Sequence, residues 1–323
     1  MKALLEIRAP SKLPELSRRT EMAMNKPLVT IGMPVYNSEQ HIRQALDSLL
    51  VQDYQHFELI ISDNASTDGT QQICLEYAAR DERIRYHRNE RNMGIAWNLN
   101  RVFELSSGEY FKWAGSHDYV APTFISACKR ILDADPGVVL AYPLARVINE
   151  KGETVREIVP EIIDTRNLPT FGRVLVVVAK VEYCALELYG LFRVSALRRC
   201  RPLVTLVAND MVLMLEISIL GSIALVPEVL LYRRDFLPIL SEDERIATSL
   251  LRVNPEARKR KSVRPFWELG IQQLVGGWRL SPLTKKFYLL PLIAYAHYAR
   301  WHEQLKRELR QPYSLQEYKE PDY

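Results

Sequence analysis

Several short polar clusters follow apolar runs in this 323-residue chain. They are Pro34, Tyr36, Asn37 and Glu39; Asp63, Asn64, Ser66 and Asp68; Asn92, Gly94 and Asn100; and Ser116, His117 and Asp118. Carboxylates accept N–H groups and hold hard divalent ions, amides bind polar ligands, and imidazole suits softer first-row metals. A further acid, Asp210, stands just before the apolar run Met211 to Gly221, where it can act as a base or, like its neighbour Asn209, cap a helix. Taken singly, the Asp63-Asn64 and Asp68-Gly69 pairs are also ordinary turn formers. No GxGxxG follows the first apolar run and no GxxxxGK[ST] occurs, so neither dinucleotide-site nor P-loop backbone is encoded.

The elements that must position these residues are legible from periodicity. Leu28 to Tyr36 reads as a strand, and Ile42, Ala45, Leu46, Leu49 and Leu50 form a helical stripe with Ser38 placed as its cap. Phe57 to Asn64 reads as a second buried strand, followed by a helix to about Ala79. A short strand at Ile84 to His87, a helix from Ile95 to Leu105 and a strand at Tyr110 to Trp113 continue the alternation, which predicts a parallel sheet. After Pro122 comes a helix to about Ala134, then a hairpin on VVLAYPLARVI with its turn at Asn149 to Gly152. Leu168 to Val178 and Met211 to Gly221 read as helices, IALVPEVLLYR as a late strand, and the charged remainder as amphipathic helices to about Arg310. In open parallel sheets, ligands bind at the carboxyl ends of the strands, where the polar clusters stand.

In this order and spacing the clusters resemble the family 2 glycosyltransferases, which use the A-type nucleotide-sugar fold. PVYN at Pro34 to Asn37, with Glu39, is similar to that family's opening segment, beside the base and ribose of the donor. SDNASTDG at Ser62 to Gly69 is similar to its second motif, whose leading acid, here Asp63, binds the base. NMGIAWNLN resembles the third motif through Asn92, Gly94 and Asn100, and SSGEYFKW resembles the lead-in to the metal site. There the sequence departs from the family: Gly115, Ser116, His117 and Asp118 stand where Asp-x-Asp and a further acid are usual. The resemblance implies a divalent cation at His117 and Asp118, and the imidazole favours Mn²⁺ over Mg²⁺. It also implies that Asp210 is the catalytic base and that YGLFR, with Tyr189 and Arg193, faces the acceptor. Arg233 and Arg234 are further acceptor-side candidates that could offset diphosphate charge.

The expected fold is therefore α/β, a single A-type domain over residues 27–235 with a mixed, mainly parallel sheet. A flexible extension over 1–26 precedes it and a helical region over 236–323 follows. The expected activity is transfer of a sugar from a nucleotide diphosphate donor, UDP-linked, to a glycan or lipid-linked hydroxyl acceptor with inversion. A non-catalytic nucleotide-sugar or glycan-binding protein is the alternative. A net charge of +4 is too small to suggest nucleic acid as a partner. Cys74, Cys128, Cys184 and Cys200 lie far apart without metal-ligand spacing, which reads as reduced thiols in a cytoplasmic protein. The N-terminus lacks a signal-peptide pattern, and Phe287 to Ala299, interrupted by Pro291, is shorter than the ~20 residues of a membrane span. The basic run within Ala257 to Lys261, with Arg264, Lys285, Lys286, Trp301, Lys306 and Arg307, predicts either reversible contact with the inner face of a membrane or a solvated helical cap.

Overall fold

The computed structural model describes residues 28–158, 163–180, 186–203, 208–234 and 264–310; the N-terminal extension, Cys184 and the basic run Ala257 to Lys261 lie outside them. The strands are β1 (Val29–Val35), β2 (Phe57–Asp63), β3 (Ile84–Arg88), β4 (Tyr110–Trp113), β5 (Tyr119–Val120), β6 (Val138–Ile148), β7 (Thr154–Ile158), β8 (Leu191–Arg193) and β9 (Ser222–Arg234). The helices are α1 (Ile42–Leu50), α2 (Thr70–Arg80), α3 (Ile95–Glu104), α4 (Phe124–Ala134), α5 (Thr170–Lys180), the single turn α6 (Val194–Leu197), α7 (Asn209–Leu220), α8 (Pro265–Leu280) and α9 (Leu283–Arg310). A 3₁₀ turn covers Leu186–Tyr189.

One sheet joins the described strands in the order β3-β2-β1-β4-β8-β6-β9-β5, with β7 paired to β6. Its first half, β3 to β4, is parallel. β1 and β2 are buried along their whole length, as strands covered by helices on both faces must be, and so Leu59, Ile60 and Ile61 run on without polar alternation. Gly32 interrupts β1 because α3 crosses it closely: a Cβ there would stand 2.7 Å from the Phe111 ring and 2.8 Å from Val102.

Register fixes where function can sit. Val35 lies opposite Asp63, and Gly32 opposite Trp113, so the polar segments after β1, β2 and β4 emerge along one edge of the sheet. The sequence reads YGLFR either as an acceptor-facing segment or as a buried strand with Arg193 on its rim, and gives no sign of β5. β8 is inserted antiparallel between β4 and β6, and β5 pairs antiparallel with β9. Both are set by tertiary pairing, since two or three residues carry no periodicity. The expected cap at Ser38 is corrected: α1 begins at Ile42 with His41 in the cap position and no side-chain cap bond. Ser38 instead donates its N–H to Thr70 Oγ1 at 2.7 Å and shares a 2.8 Å hydroxyl contact with Ser116.

The C-terminal helices α8 and α9 pack on each other, α8 on α7, and α9 on α5. The attachment includes a buried ion cluster. Glu216 of α7 accepts from Arg201 Nε at 2.5 Å, from the Arg201 N–H at 2.7 Å and from Arg279 of α8 at 3.2 Å. Cys74, Cys128 and Cys200 are buried free thiols, and burial pushes Cys74 and Cys128 up to about 12.

Candidate functional site

Asp63, the last residue of β2, is fully buried. Its Oδ1 accepts the Ser66 N–H at 2.8 Å, and its Oδ2 accepts from the Tyr86 hydroxyl and the Arg88 guanidinium, each at 2.7 Å. Arg88 also donates to the Ser66 carbonyl at 2.9 Å. Asp63 thus arrives at the sheet edge ion-paired and with both oxygens in use, and a ligand N–H approaching it must share these bonds. Burial and the Asp63 hydrogen bond push the Tyr86 phenol up, so it remains a donor.

The segment after β1 is tied to the segment after β2. The Asn37 N–H donates to Ser66 Oγ at 3.0 Å, Asn37 Oδ1 accepts the Thr67 N–H at 2.9 Å, and Glu39 Oε2 accepts the Gly69 N–H at 2.5 Å. Asp68 closes the loop by accepting from the Glu39 and Thr70 N–H groups. Burial alone would raise the Asp68 carboxyl, but these bonds outweigh it and hold the group below its ordinary range. Pro34 lies within buried β1, whereas Tyr36 is exposed beside the loop.

The third cluster adds a chain of amides. Asn64 donates to Asn92 Oδ1 at 2.7 Å and accepts the Met93 N–H at 2.9 Å, while Gly94 takes a positive φ of 85° at the start of α3. Asn89 bridges Asn64 and Asn98, and Asn98 donates to the Ser62 carbonyl at 2.8 Å. Asn98 was missed in the sequence, although a buried amide on an otherwise apolar helix face is a readable signal. Asn100 departs from its expected place: its amide donates to the Leu203 carbonyl at 2.9 Å and accepts the Leu203 N–H at 2.7 Å. It straps α3 to the chain that leads toward Asp210.

After β4, Asp118 is 5% exposed. Its Oδ1 accepts the Arg234 N–H at 2.8 Å and lies 3.8 Å from His117 Nε2, whereas its Oδ2 is buried without a hydrogen-bond partner. The Asp118 carboxylate, with Oδ2 unpartnered and the His117 imidazole on its Oδ1 side, offers a cation two ligands. Among the described residues no group of three His, Cys, Asp or Glu side chains is close enough to hold a metal, so further ligands would have to come from a bound anion. The surroundings are cationic. Burial, with Arg234 and His117 nearby, holds the His41 imidazole below its usual range. Lys112, also passed over in the sequence, is buried in the same region and is pulled down by burial to about 8.

The acceptor-side expectations divide. Tyr189 stands by the site, with its carbonyl accepting from Lys112 at 2.8 Å. Arg193 does not: it pairs with Tyr110 at the first residue of β4, the opposite edge of the sheet, and donates to the Leu132 carbonyl at 2.6 Å and the Val138 carbonyl at 3.3 Å. Its role is to close the end of α4, so the acceptor assignment is corrected. Arg234 is buried and spends its guanidinium on the carbonyls of His117, Asn149 and Glu150 and on Gln44 Oε1. It fixes the Asp118 loop rather than reaching out to a ligand. Arg233 is half-buried on β9.

Asp210 is 5% exposed in the first turn of α7. The cap position belongs to Ala208, which is left-handed at φ 58° and gives no side-chain cap bond, so neither Asn209 nor Asp210 is the N-cap. Among the described residues the left-handed non-glycines are Asn37, Ala65 and Ala208. Each stands in or beside a candidate motif, where backbone strain of about 1–3 kcal/mol tends to be retained for function. α7 packs on the 3₁₀ turn that contains Tyr189, which connects the Asp210 helix to the Asp118 region.

Known proteins resemble this chain in sequence and in fold. A Bacillus subtilis protein, the putative teichuronic acid biosynthesis glycosyltransferase TuaG, is 40% identical over 93 residues, covering 29% of this chain and 37% of its own. An uncharacterized glycosyltransferase of Rickettsia felis is 34% identical over 140 residues, covering 42% of this chain and 23% of its own. The match to these curated relatives therefore spans less than half of their length. In fold, the chain is similar to Staphylococcus aureus TarS 1-349 in complex with UDP, with a TM-score of 0.51, 17% identity and coverage of 88% and 91% of the two chains. It is also similar to the mannosyltransferase PcManGT of Pyrobaculum calidifontis in complex with GDP-Man and Mn²⁺, with a TM-score of 0.50, 20% identity and coverage of 89% and 82%. Both likenesses concern the fold. The sequence profile of glycosyl transferase family 2 matches residues 30–199, which take in every motif from β1 to the Asp118 loop, and the chain belongs to that family.

Proposed function

We propose that the protein transfers a sugar from a UDP-linked donor to a hydroxyl acceptor with inversion at the anomeric carbon. The observation that carries this reading is the continuous hydrogen-bonded rim at the ends of β1, β2 and β4, from Asn37 and Asp63 to Ser116. A rim of amides and carboxylates offers acceptors to a base and a ribose, and the buried charges of Lys112 and Arg234 behind it favour a diphosphate. In the reaction, the acceptor hydroxyl gives its proton to Asp210 as its oxygen bonds to the anomeric carbon, and the bond from that carbon to the diphosphate breaks. Asp118 and His117 would hold a divalent cation. When bound, such an ion offsets charge on the departing diphosphate. A non-catalytic sugar-nucleotide binder remains the rival reading, and formation of UDP from a UDP-sugar by purified protein separates the two. A screen of nucleotide sugars by thermal shift, with and without Mn²⁺, tests the donor, since a ligand of the folded state raises apparent stability.

Asp63→Asn tests the base contact, and because Arg88 also loses its buried anion the melting temperature is read on the same sample. UDP affinity measured by calorimetry should fall by ~1–3 kcal/mol, because a buried ligand N–H loses its anionic acceptor. Unchanged affinity would remove the base-binding role from Asp63. For the cation, activity should be higher with Mn²⁺ than with Mg²⁺, and His117→Asp should move the preference toward Mg²⁺. Full activity in excess chelator would show instead that the protein's own cations supply the charge.

The acceptor is proposed to be a glycan or a lipid-linked species met at an anionic membrane surface. α8 exposes Ile271, Val275 and Trp278 along one stripe, and α9 exposes Leu283, Phe287, Tyr295 and Tyr298. Lys286 lies 3.9 Å over the Trp278 ring. An apolar, aromatic face edged by lysines suits the headgroup region, and among the described residues no helix is long and apolar enough to cross a membrane. Anionic liposomes should sediment the protein at low salt and release it at high salt, as ~1 kcal/mol per basic residue is screened. Equal binding to neutral liposomes, or none to either, would favour the helical cap.

A further inference from the structure

Lys112 is 1% exposed in the middle of β4, where a charged side chain is costly unless its position serves a purpose. Its ammonium donates to the carbonyls of Trp113 at 3.1 Å and Tyr189 at 2.8 Å, and lies 4.1 Å from the centre of the Phe124 ring. Those two bonds use two of its three N–H groups. Lys112, Gly115, Asp118 and Tyr189 line one small cavity beneath the loop that follows β4. Asp118 Oδ2, the carboxylate oxygen with no partner, is so close to Gly115 that a Cβ there would stand 2.5 Å from it. An acid at position 115, as in the usual family pattern, would displace Asp118 from this place. The missing acid, the position of Asp118 and the buried lysine therefore belong to one arrangement.

We propose that Lys112 is a positioning residue for the transfer reaction: a fixed cation beneath the loop that balances Asp118 and opposes capture of a divalent ion there until the donor diphosphate supplies further negative charge. The inference rests on the donor site proposed above. Two like charges sharing a low-dielectric region repel strongly, so the ammonium lowers the affinity of a divalent ion for Asp118 in the empty site. With the diphosphate bound, the added anions outweigh one lysine, and the ion and the nucleotide are held together. A lysine whose charge does not reach Asp118 would leave metal affinity untouched.

The test is a Mn²⁺ titration of the full chain followed by electron paramagnetic resonance, with and without UDP. Lys112→Gln removes the charge while keeping a donor for the Tyr189 carbonyl, and Lys112→Met removes both. Without UDP, each variant should bind Mn²⁺ at least ~10-fold more tightly than wild type. The gain should vanish when Asp118→Asn is added, because the effect acts through that carboxylate. Mn²⁺ affinity within about two-fold of wild type in the folded variants, or a gain that survives Asp118→Asn, overturns the inference. Wild type alone provides a check if both variants misfold: equal Mn²⁺ affinity with and without UDP also overturns it. Absence of UDP binding by calorimetry is a separate result, and it refutes the donor site itself.

Discussion

Glu216→Ala is expected to lower the unfolding free energy by about 3 kcal/mol, or roughly 4–5 °C in melting temperature for a chain of this size. Glu216 is 1% exposed and its two carboxylate oxygens serve Arg201 and Arg279 together. Removing it leaves Arg201, which also donates to the Gln272 side chain and carbonyl at 2.8 and 2.7 Å, without its buried anion. It also opens a hole beside Gly276, whose Cα side is filled by Glu216 Oε1. Arg279→Ala should cost far less, about 0–1 kcal/mol, since that side chain is 42% exposed and its bond is long at 3.2 Å. UDP affinity should be unchanged in both variants, because the cluster joins α7 to α8 and none of its members belongs to the strand-end rim. A fall in melting temperature of less than a few degrees for Glu216→Ala would mean that apolar packing holds α8 in place without the ion cluster.

The parallel half of the fold was legible because its signals are local and repeated. Tyr110 to Trp113 was read as a strand and forms β4, and Met211 to Gly221 was read as an apolar helix and forms most of α7. The strand-end location of the polar clusters followed from that alternation. The orientation of single side chains did not follow from it. Asn98 and Asn100 lie two residues apart on α3, about 200° around the helix, so one reaches Ser62 and the other Leu203. Arg193 was placed near the acceptor by its motif, but antiparallel pairing of β8 with β4 carries it to the far edge, and a three-residue strand has no pattern to announce that pairing. Lys112 was overlooked because an alternating strand can place a lysine in solvent or in the core, and only the opposing Phe124 and Tyr189 decide which. Arg234 combines the two cases: its charge suggested a ligand, while the carbonyls that surround it come from segments distant in sequence.

The largest expected effect on rate is that of Asp210→Asn, with turnover falling at least ~10²-fold while UDP still binds as in wild type. An inverting transfer needs one base on the face opposite the leaving group, and Asp210 holds the place of that acid in the family resemblance. Glu216, six residues further along α7, is committed to Arg201 and Arg279 and is not available for the role. The substitution keeps size and hydrogen-bonding reach, so it isolates the carboxylate charge. The substitution is not the loss of a cap, since Ala208 holds the cap position and Asp210 Oδ1 accepts the adjacent Met211 N–H at 3.0 Å. Loss of a negative charge from the first turn of the helix should lower stability by about 0.3–2 kcal/mol. Donor affinity is read by calorimetry and the melting temperature by scanning the same sample, so a damaged fold or a damaged donor site is distinguished from lost chemistry. If turnover stays within a few-fold of wild type, Asp210 serves the helix end alone, and proton removal from the acceptor must be assigned to another group.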